Sequence, residues 1–202
     1  MIMNTQTIDN KVTYRIYGNK RGWVFTPSSF YDIGSQFAVR KTLERLAKSG
    51  VIRRLSPGLY DYPKKHPVLG DLSPNYQQIG IAIARQSKSR LQPSGAYAAN
   101  LLGLSEQVPA KIIFLTDGSA RKVAYGKQEI ILKKTTPKNM AASGHISGLV
   151  IQALRYLGKA HVDLKVINQL KRRLNKKDKD QLLRDISCAP VWIGEVFRKV
   201  VK

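Results

Sequence analysis

The stretch Phe25–Pro63 reads FTPSSFYDIGSQFAVRKTLERLAKSGVIRRLSPGLYDYP, and it decides the fold of the first part of the chain. Pro27 suits the first turn of a short helix, and Gly34 provides the turn that follows it. Ser35 is a favoured N-cap residue. It precedes an amphipathic helix that we predict over Gln36–Lys48.

Two short strands follow this helix. They are predicted over Val51–Leu55 and Leu59–Tyr62, with Pro57-Gly58 at the turn between them. The buried stripe of the preceding helix is formed by Val39, Leu43 and Leu46. A short helix, a turn, a second helix and a strand pair, in that order, are typical of a winged helix-turn-helix, a module that reads DNA.

Side chains on the second helix of such a motif contact bases and phosphates in the major groove. Gln36 and Arg40 have the chemistry for base readout, since Gln pairs with adenine and Arg with guanine. Ser35 and Lys41 are better suited to phosphate, and two wing arginines can reach the DNA backbone or the minor groove. The predicted DNA-binding residues are Ser35, Gln36, Arg40, Lys41, Arg45, Arg53 and Arg54.

Two plainer interpretations of this segment stay open. Basic residues on an exposed helix face are often merely solvated. A winged-helix fold can also serve as a docking module for another protein.

The charge of the chain agrees with a nucleic-acid partner. Lys and Arg number 35 against 13 Asp and Glu, which gives a formal net charge of +22. Such an excess favours polyanions through screened electrostatics and counterion release. The excess is spread along the chain, with +8 in residues 1–65, +6 in 66–148 and +8 in 149–202, so more than one segment can face phosphate.

Signals of catalysis are poor. His66, His145 and His161 are far apart and lack metal-ligand spacing. There is no phosphate-loop pattern and no Gly-x-Ser-x-Gly, and the few acidic residues are thinly spread. We therefore predict that the protein is not an enzyme and has no catalytic residues, no metal site and no cofactor.

The run Pro63–Pro67 breaks the helical pattern and marks a predicted boundary between a domain at 1–67 and a domain at 68–202. Within the second domain a small antiparallel sheet is predicted at about 111–134, with a turn at Gly126-Lys127, and a helical end at about 149–201. The predicted fold class is α+β and mainly helical, with the winged helix first and a C-terminal α/β domain after it.

Cellular location is predicted from what the sequence lacks. Cys188 is a single cysteine and cannot form an internal disulfide, which favours a reducing compartment. No apolar run is long enough to span a bilayer, and MIMNTQTIDNKVTYR at the N-terminus lacks an apolar signal core. We expect a cytoplasmic protein with no membrane partner.

Three stretches together resemble a known family. They are AVRKTLERLAKSGVIRRLSPGLYDYP, then SGAYAANLLGLSEQVPAKIIFLTDGSARKV, then ALRYLG. In their order and spacing they resemble the AbiEi-like antitoxins of bacterial abortive-infection (type IV) toxin–antitoxin systems, over about residues 10–200. The most telling parts are the wing ending in Gly58-Leu59-Tyr60 and the block from Ser94 to Asp117.

The resemblance implies a protein of two parts that acts in phage defence. Its N-terminal domain would bind double-stranded promoter DNA and repress its own operon. Its C-terminal domain would counter a cognate toxin of nucleotidyltransferase type, whether or not the two proteins touch. Two alternatives from other classes are a stand-alone winged-helix regulator with a ligand-sensing or dimerising C-terminal domain, and a nucleic-acid-processing enzyme.

Overall fold

The computed structural model describes residues 7–126 and 128–202, and it has a mixed α/β fold in which helices predominate. The predicted turn residue Lys127 and the first six residues of the predicted first domain lie outside the described residues. The chain forms two compact units, 1–87 and 88–202.

The first unit begins with two helices joined by a short 3₁₀ turn, followed by a hairpin. Its elements are α1 (Ile8–Gly18), β1 (Val24–Phe25), the 3₁₀ helix Pro27–Phe30, α2 (Gln36–Lys48), β2 (Arg53–Ser56) and β3 (Leu59–Asp61). The three strands form an antiparallel sheet in the order β1-β3-β2. The predicted helix Gln36–Lys48 is confirmed, and each predicted strand is found within one or two residues of its expected bounds.

An aromatic and aliphatic core joins α1, α2 and the small sheet. Phe25 and Phe30 lie edge to face, with ring centroids 5.4 Å apart, and both are buried. Val39 and Leu43 of the predicted stripe are fully buried beside them. Leu46, the third member of that stripe, is only partly buried and packs at the margin of the core.

The unit continues past the predicted boundary. Residues 64–72 form a second, short hairpin of β4 (Lys65–His66) and β5 (Gly70–Asp71), in a segment where the sequence indicated only a break. The following helix α3 (Tyr76–Gln86) lies against β1. The division between the units therefore falls after Ser87 rather than after Pro67.

In the second unit, four described strands form one sheet. They are β6 (Leu91–Ser94), β7 (Lys111–Thr116), β8 (Arg121–Tyr125) and β9 (Gln128–Lys134), in the order β6-β7-β9-β8. The predicted antiparallel sheet is corrected here, because β7 and β9 are parallel while the other two pairs are antiparallel.

Burial explains this order. Ile130 and Leu132 of β9 are buried, as are Ile112 and Phe114 of β7, so these two strands take the middle of the sheet. Strand β8 buries Val123 and exposes Arg121 and Lys122, a pattern that suits a charged edge strand. The chain therefore folds β9 back between β7 and β8.

Helices cover the rest of the second unit and supply its main core. They are α4 (Gly95–Leu101), α5 (Ile146–Leu157), α6 (Leu164–Arg173), α7 (Lys176–Arg184) and α8 (Val191–Val201). Their apolar stripes meet in one cluster that includes Leu154, Leu170, Leu182 and Phe197. The predicted helical end at 149–201 is confirmed, although α5 begins three residues earlier, at Ile146.

Candidate nucleic-acid interface

The N-terminal end of α2 is exposed and well defined. The Ser35 hydroxyl caps the helix by accepting a hydrogen bond from the Ala38 amide at 3.3 Å. Gln36 is the first helical residue, and its side chain is exposed. This geometry leaves the first turn of α2 open to a ligand that approaches along the helix axis.

The face of α2 opposite its buried stripe carries Phe37, Lys41, Glu44 and Lys48, which we call the outward stripe. All four side chains are exposed, and Arg40 is exposed beside them. The spacing of three and four residues places them on one side of the helix. Three of the predicted site residues, Gln36, Arg40 and Lys41, thus remain at the surface of one helix.

Arg45 has a partner within the protein. Its guanidinium forms an ion pair with Asp9 of α1, and the same carboxylate accepts a hydrogen bond from the Thr42 hydroxyl. Because Arg45 is well exposed, this ion pair contributes only about 0–1 kcal/mol. Arg45 therefore links α2 to α1 through this ion pair. A DNA phosphate would have to compete with Asp9 for the Arg45 guanidinium.

The two neighbouring arginines of β2 differ in their environment. Arg53 donates to both oxygens of Asp61 on β3, at 3.1 and 2.7 Å, and to the Leu72 carbonyl at 2.9 Å. Asp61 is 1% exposed. Its burial raises the pKa of its carboxyl group, and the hydrogen bonds from Arg53 oppose that shift. Arg53 therefore neutralises a buried carboxylate at the base of the hairpin.

Arg54 is exposed and lies opposite Tyr60 in the strand register. Burial raises the pKa of the Tyr60 phenol, and the negative charge of Glu44 adds to that shift, whereas the positive charges of Arg54 and Arg40 oppose it. One residue on the hairpin and one on α2 thus act on the same hydroxyl group. Within the described residues, neither arginine takes part in an ion pair.

The predicted site residues therefore fall into two groups, one exposed and one paired with carboxylates. The side chains of Ser35, Gln36, Arg40, Lys41 and Arg54 are exposed. Arg40 lies on the hairpin side of α2 with Arg54, whereas Lys41 lies on the side that borders α1. Arg45 and Arg53, which were predicted with them, are engaged by carboxylates. The sequence reasoning passed over Phe37, although the stripe of Val39 and Leu43 already implied that Phe37 points outward.

A polar cavity lies near the opposite end of the hairpin from its turn. It has a volume of about 400 Å³ and includes the buried Asp61 in its wall. Arg21 and Lys64 give it positive charge, and Asn75 and Gln78 add amide groups. The size falls within the range of small-molecule sites, which is roughly 300–1,000 Å³.

In the second unit a cluster joins the start of α5 to the end of α7. The Ser147 hydroxyl donates to Asp185 at 2.7 Å, and the His145 ring lies 3.0 Å from the same carboxylate. The serine is fully buried and is not hydrogen-bonded to the histidine. A nucleophilic serine needs a base within hydrogen-bond reach, so this cluster is suited to joining two helices rather than to catalysis.

Neither a metal-binding cluster nor a membrane-spanning helix occurs among the described residues. No three His, Cys, Asp or Glu side chains in 7–126 and 128–202 come together in a way that could hold a metal ion. In the same residues, no helix has the length and the apolar character needed to cross a bilayer.

Comparisons with known proteins place the chain in a family without a described activity. None of the curated proteins matches it. Among solved structures, it is similar to the crystal structure of the RV2827C protein from Mycobacterium tuberculosis, with 14% identity and a TM-score of 0.44 over 96% of this chain and 76% of that one. The sequence profile of a family of unknown function, DUF6088, matches residues 11–182. Because this match spans most of the chain, the protein belongs to the DUF6088 family.

Proposed function

We propose that this protein binds double-stranded DNA through α2 and the β2–β3 hairpin, used as a winged helix-turn-helix. The observation that carries the proposal is the joint exposure of Arg40, Lys41 and Arg54, with Arg40 and Arg54 close enough to influence one phenol. Two elements that present unpaired cations on one side form a surface that suits the phosphates of a duplex.

In this proposal each element has a separate task. The first turns of α2 enter the major groove, where Gln36 and Arg40 meet base edges. Lys41, the residue after Arg40, binds phosphate. Arg54 contacts the backbone or the minor groove from the hairpin, while Arg53 holds the hairpin in shape through Asp61.

The biological role that we propose is that of an antitoxin. The resemblance to AbiEi-like antitoxins supports this role, in which the first unit represses the protein's own operon. The second unit, residues 88–202, would then counter a nucleotidyltransferase-type toxin encoded nearby.

Binding to the region upstream of the gene tests the DNA proposal. The triple variant Arg40→Ala, Lys41→Ala, Arg54→Ala should lose most of its affinity in gel-shift titrations at several salt concentrations, because it removes three phosphate or base contacts. A matched control is Lys133→Ala, Lys134→Ala, Lys138→Ala, which removes the same charge from exposed positions of the second unit. Equal affinities of the two triple variants would refute the proposed surface.

A second candidate function is a stand-alone regulator that senses a small molecule. The polar cavity of about 400 Å³ favours it, although this cavity lies in the first unit and not in the second, where a sensing domain was expected. The adjacent gene discriminates between the two roles. Protection of cells by this protein against the product of that gene would support the antitoxin role, and a harmless product would support the regulator.

A further inference from the structure

The most unusual side chain on the proposed DNA-binding surface is apolar. Phe37 is 74% exposed, although a phenylalanine on a helix normally packs into a core. It is the second residue of α2 and begins the outward stripe, directly opposite the buried Val39 and Leu43. Leaving this ring in water forgoes the stabilisation that burial would give, so its position calls for an explanation.

The surroundings of the ring are charged. The Lys41 ammonium nitrogen lies over the ring, 5.7 Å from its centroid. Among the described members of the outward stripe, Phe37 is the single apolar side chain, and the others are Lys41, Glu44 and Lys48. An apolar protein partner favours a continuous apolar patch. Phe37 also borders a shallow groove with Ile8 and Ala38, and Lys41 and Arg45 flank this groove. A small apolar area beside two cations suits a polyanion that offers an occasional apolar group.

The major groove of DNA offers such a group. Among the groove edges of the four bases, thymine alone presents a methyl group, and phenylalanine is one of the side chains that contact it. The N-terminal residues of a recognition helix are the ones that reach base edges. Phe37 stands between Gln36 and Arg40 in this region, and Lys41 beside it can hold the neighbouring phosphate.

We propose that Phe37 selects thymine at one position of the operator by contacting its 5-methyl group. This inference rests on the proposed function and deepens it, because it makes apolar contact, and not only hydrogen bonding, a source of sequence specificity. Phe37 then reads a methyl group, while Gln36 and Arg40 read polar base edges beside it.

The test removes only the methyl group. The preferred duplex is first selected from a random-sequence library with the full-length protein, and each thymine is then replaced in turn by deoxyuridine, which keeps the base pairing. At one position we expect the replacement to weaken binding by about fourfold, the worth of one buried methyl group. In Phe37→Ala that ratio should fall to about one.

The controls separate this contact from general effects. Lys48→Ala, on the same stripe, should keep the wild-type ratio between thymine and deoxyuridine, and Phe37→Leu should keep part of it. Because Phe37 is exposed, its variants should melt at the wild-type temperature. If the wild-type protein binds duplex but tolerates deoxyuridine at every position, the inference fails and the proposed function stands.

Three further outcomes also decide the matter. Retention of the thymine preference by Phe37→Ala would overturn the assignment of the methyl contact to this ring. If no duplex is selected at all, both this inference and the proposed function fail. If Phe37→Ala keeps its thymine preference and loses protection against a toxin, the ring belongs to a protein interface instead.

Discussion

At the scale of single residues, neighbours in sequence have different tasks. Arg53 and Arg54 are adjacent on β2, and alternation along a strand sends their side chains to opposite faces. Arg53 meets the buried Asp61, whereas Arg54 is exposed. The sequence predicted both as DNA contacts, because composition and position cannot show that Asp61, the partner of Arg53 on the neighbouring strand, will be buried beside it.

Replacing Arg53 by Met should destabilise the first unit. The change leaves the Asp61 carboxyl group buried without its ion-pair partner, and breaking a fully buried pair costs about 3–5 kcal/mol. Arg53 is partly exposed, and Asp61 can protonate, so we expect about 2–4 kcal/mol in urea unfolding. Arg54→Met is the matched control and should change stability by less than about 0.5 kcal/mol. Equal losses in the two variants would contradict the structural role of Arg53.

The second unit should lose stability in acid through Asp185. Burial acts to raise the pKa of this carboxyl group, but the hydrogen bonds from Gln181, Ser147 and His145 together outweigh it, so the pKa is lowered. A lowered folded-state pKa gives stability that is present above the unfolded value of about 3.9 and lost as the pH falls through the folded value.

Urea unfolding of the second unit at neutral pH and near pH 3 checks this linkage. Asp185→Asn should lose less stability over that interval than the wild-type protein, because it has no carboxylate to protonate. Asp180→Asn removes an exposed carboxylate from the same helix and should behave like the wild-type protein. If Asp185→Asn loses as much stability in acid as the wild-type protein, protonation of Asp185 is not the cause of that loss.

At the scale of elements, α2 depends on its buried stripe. Leu43 is fully buried, so Leu43→Ala should cost about 2–5 kcal/mol, through lost transfer energy and the cavity that remains. Leu46 lies at the margin of the core, so Leu46→Ala should cost clearly less. Chemical denaturation followed by circular dichroism compares the two. A larger loss for Leu46→Ala would mean that the helix phase is misassigned.

Elements with strong local signals were predictable from the sequence, and their arrangement was not. The N-cap Ser35, the apolar stripe of α2 and the short apolar run of β7 are local patterns, and the structure contains both elements. The position of β6, the insertion of β9 and the membership of α3 in the first unit depend on contacts between distant segments. At the candidate site, the helix pattern predicted that Arg40 is exposed. The ion pair of Arg53 with Asp61 depends on a contact between two strands, which the sequence does not show.

At the scale of the whole molecule, the two compact units predict separable activities. A fragment of residues 88–202 should fold, since its core includes α4 to α8 and lies within the unit. If the proposed roles are right, this fragment should protect cells against the toxin and should not bind the operator. Co-expression of the toxin with the full-length chain, with 1–87 and with 88–202 measures protection, and gel shifts measure binding.

The outcomes of that experiment are distinct. Protection by 1–87 alone would assign neutralisation to the first unit. Failure of both fragments, each shown by circular dichroism to be folded, would mean that the units act together. The division after Ser87 matters here, because a cut at the predicted boundary after Pro67 would remove α3 from the unit that it packs in.

The insertion of β9 between β7 and β8 also has a consequence during synthesis. Strand β7, with the apolar Ile112 and Phe114, leaves the ribosome before the strand that lies beside it in the finished sheet. At about 5–20 residues per second, it waits roughly one to four seconds for β9. During that interval its inner edge is open to any other extended chain. A nascent chain that stalls after β7 has left the ribosome and before β9 has done so exposes an unpaired apolar strand edge. This protein should therefore depend on chaperones while it is being made and much less once β9 is in place.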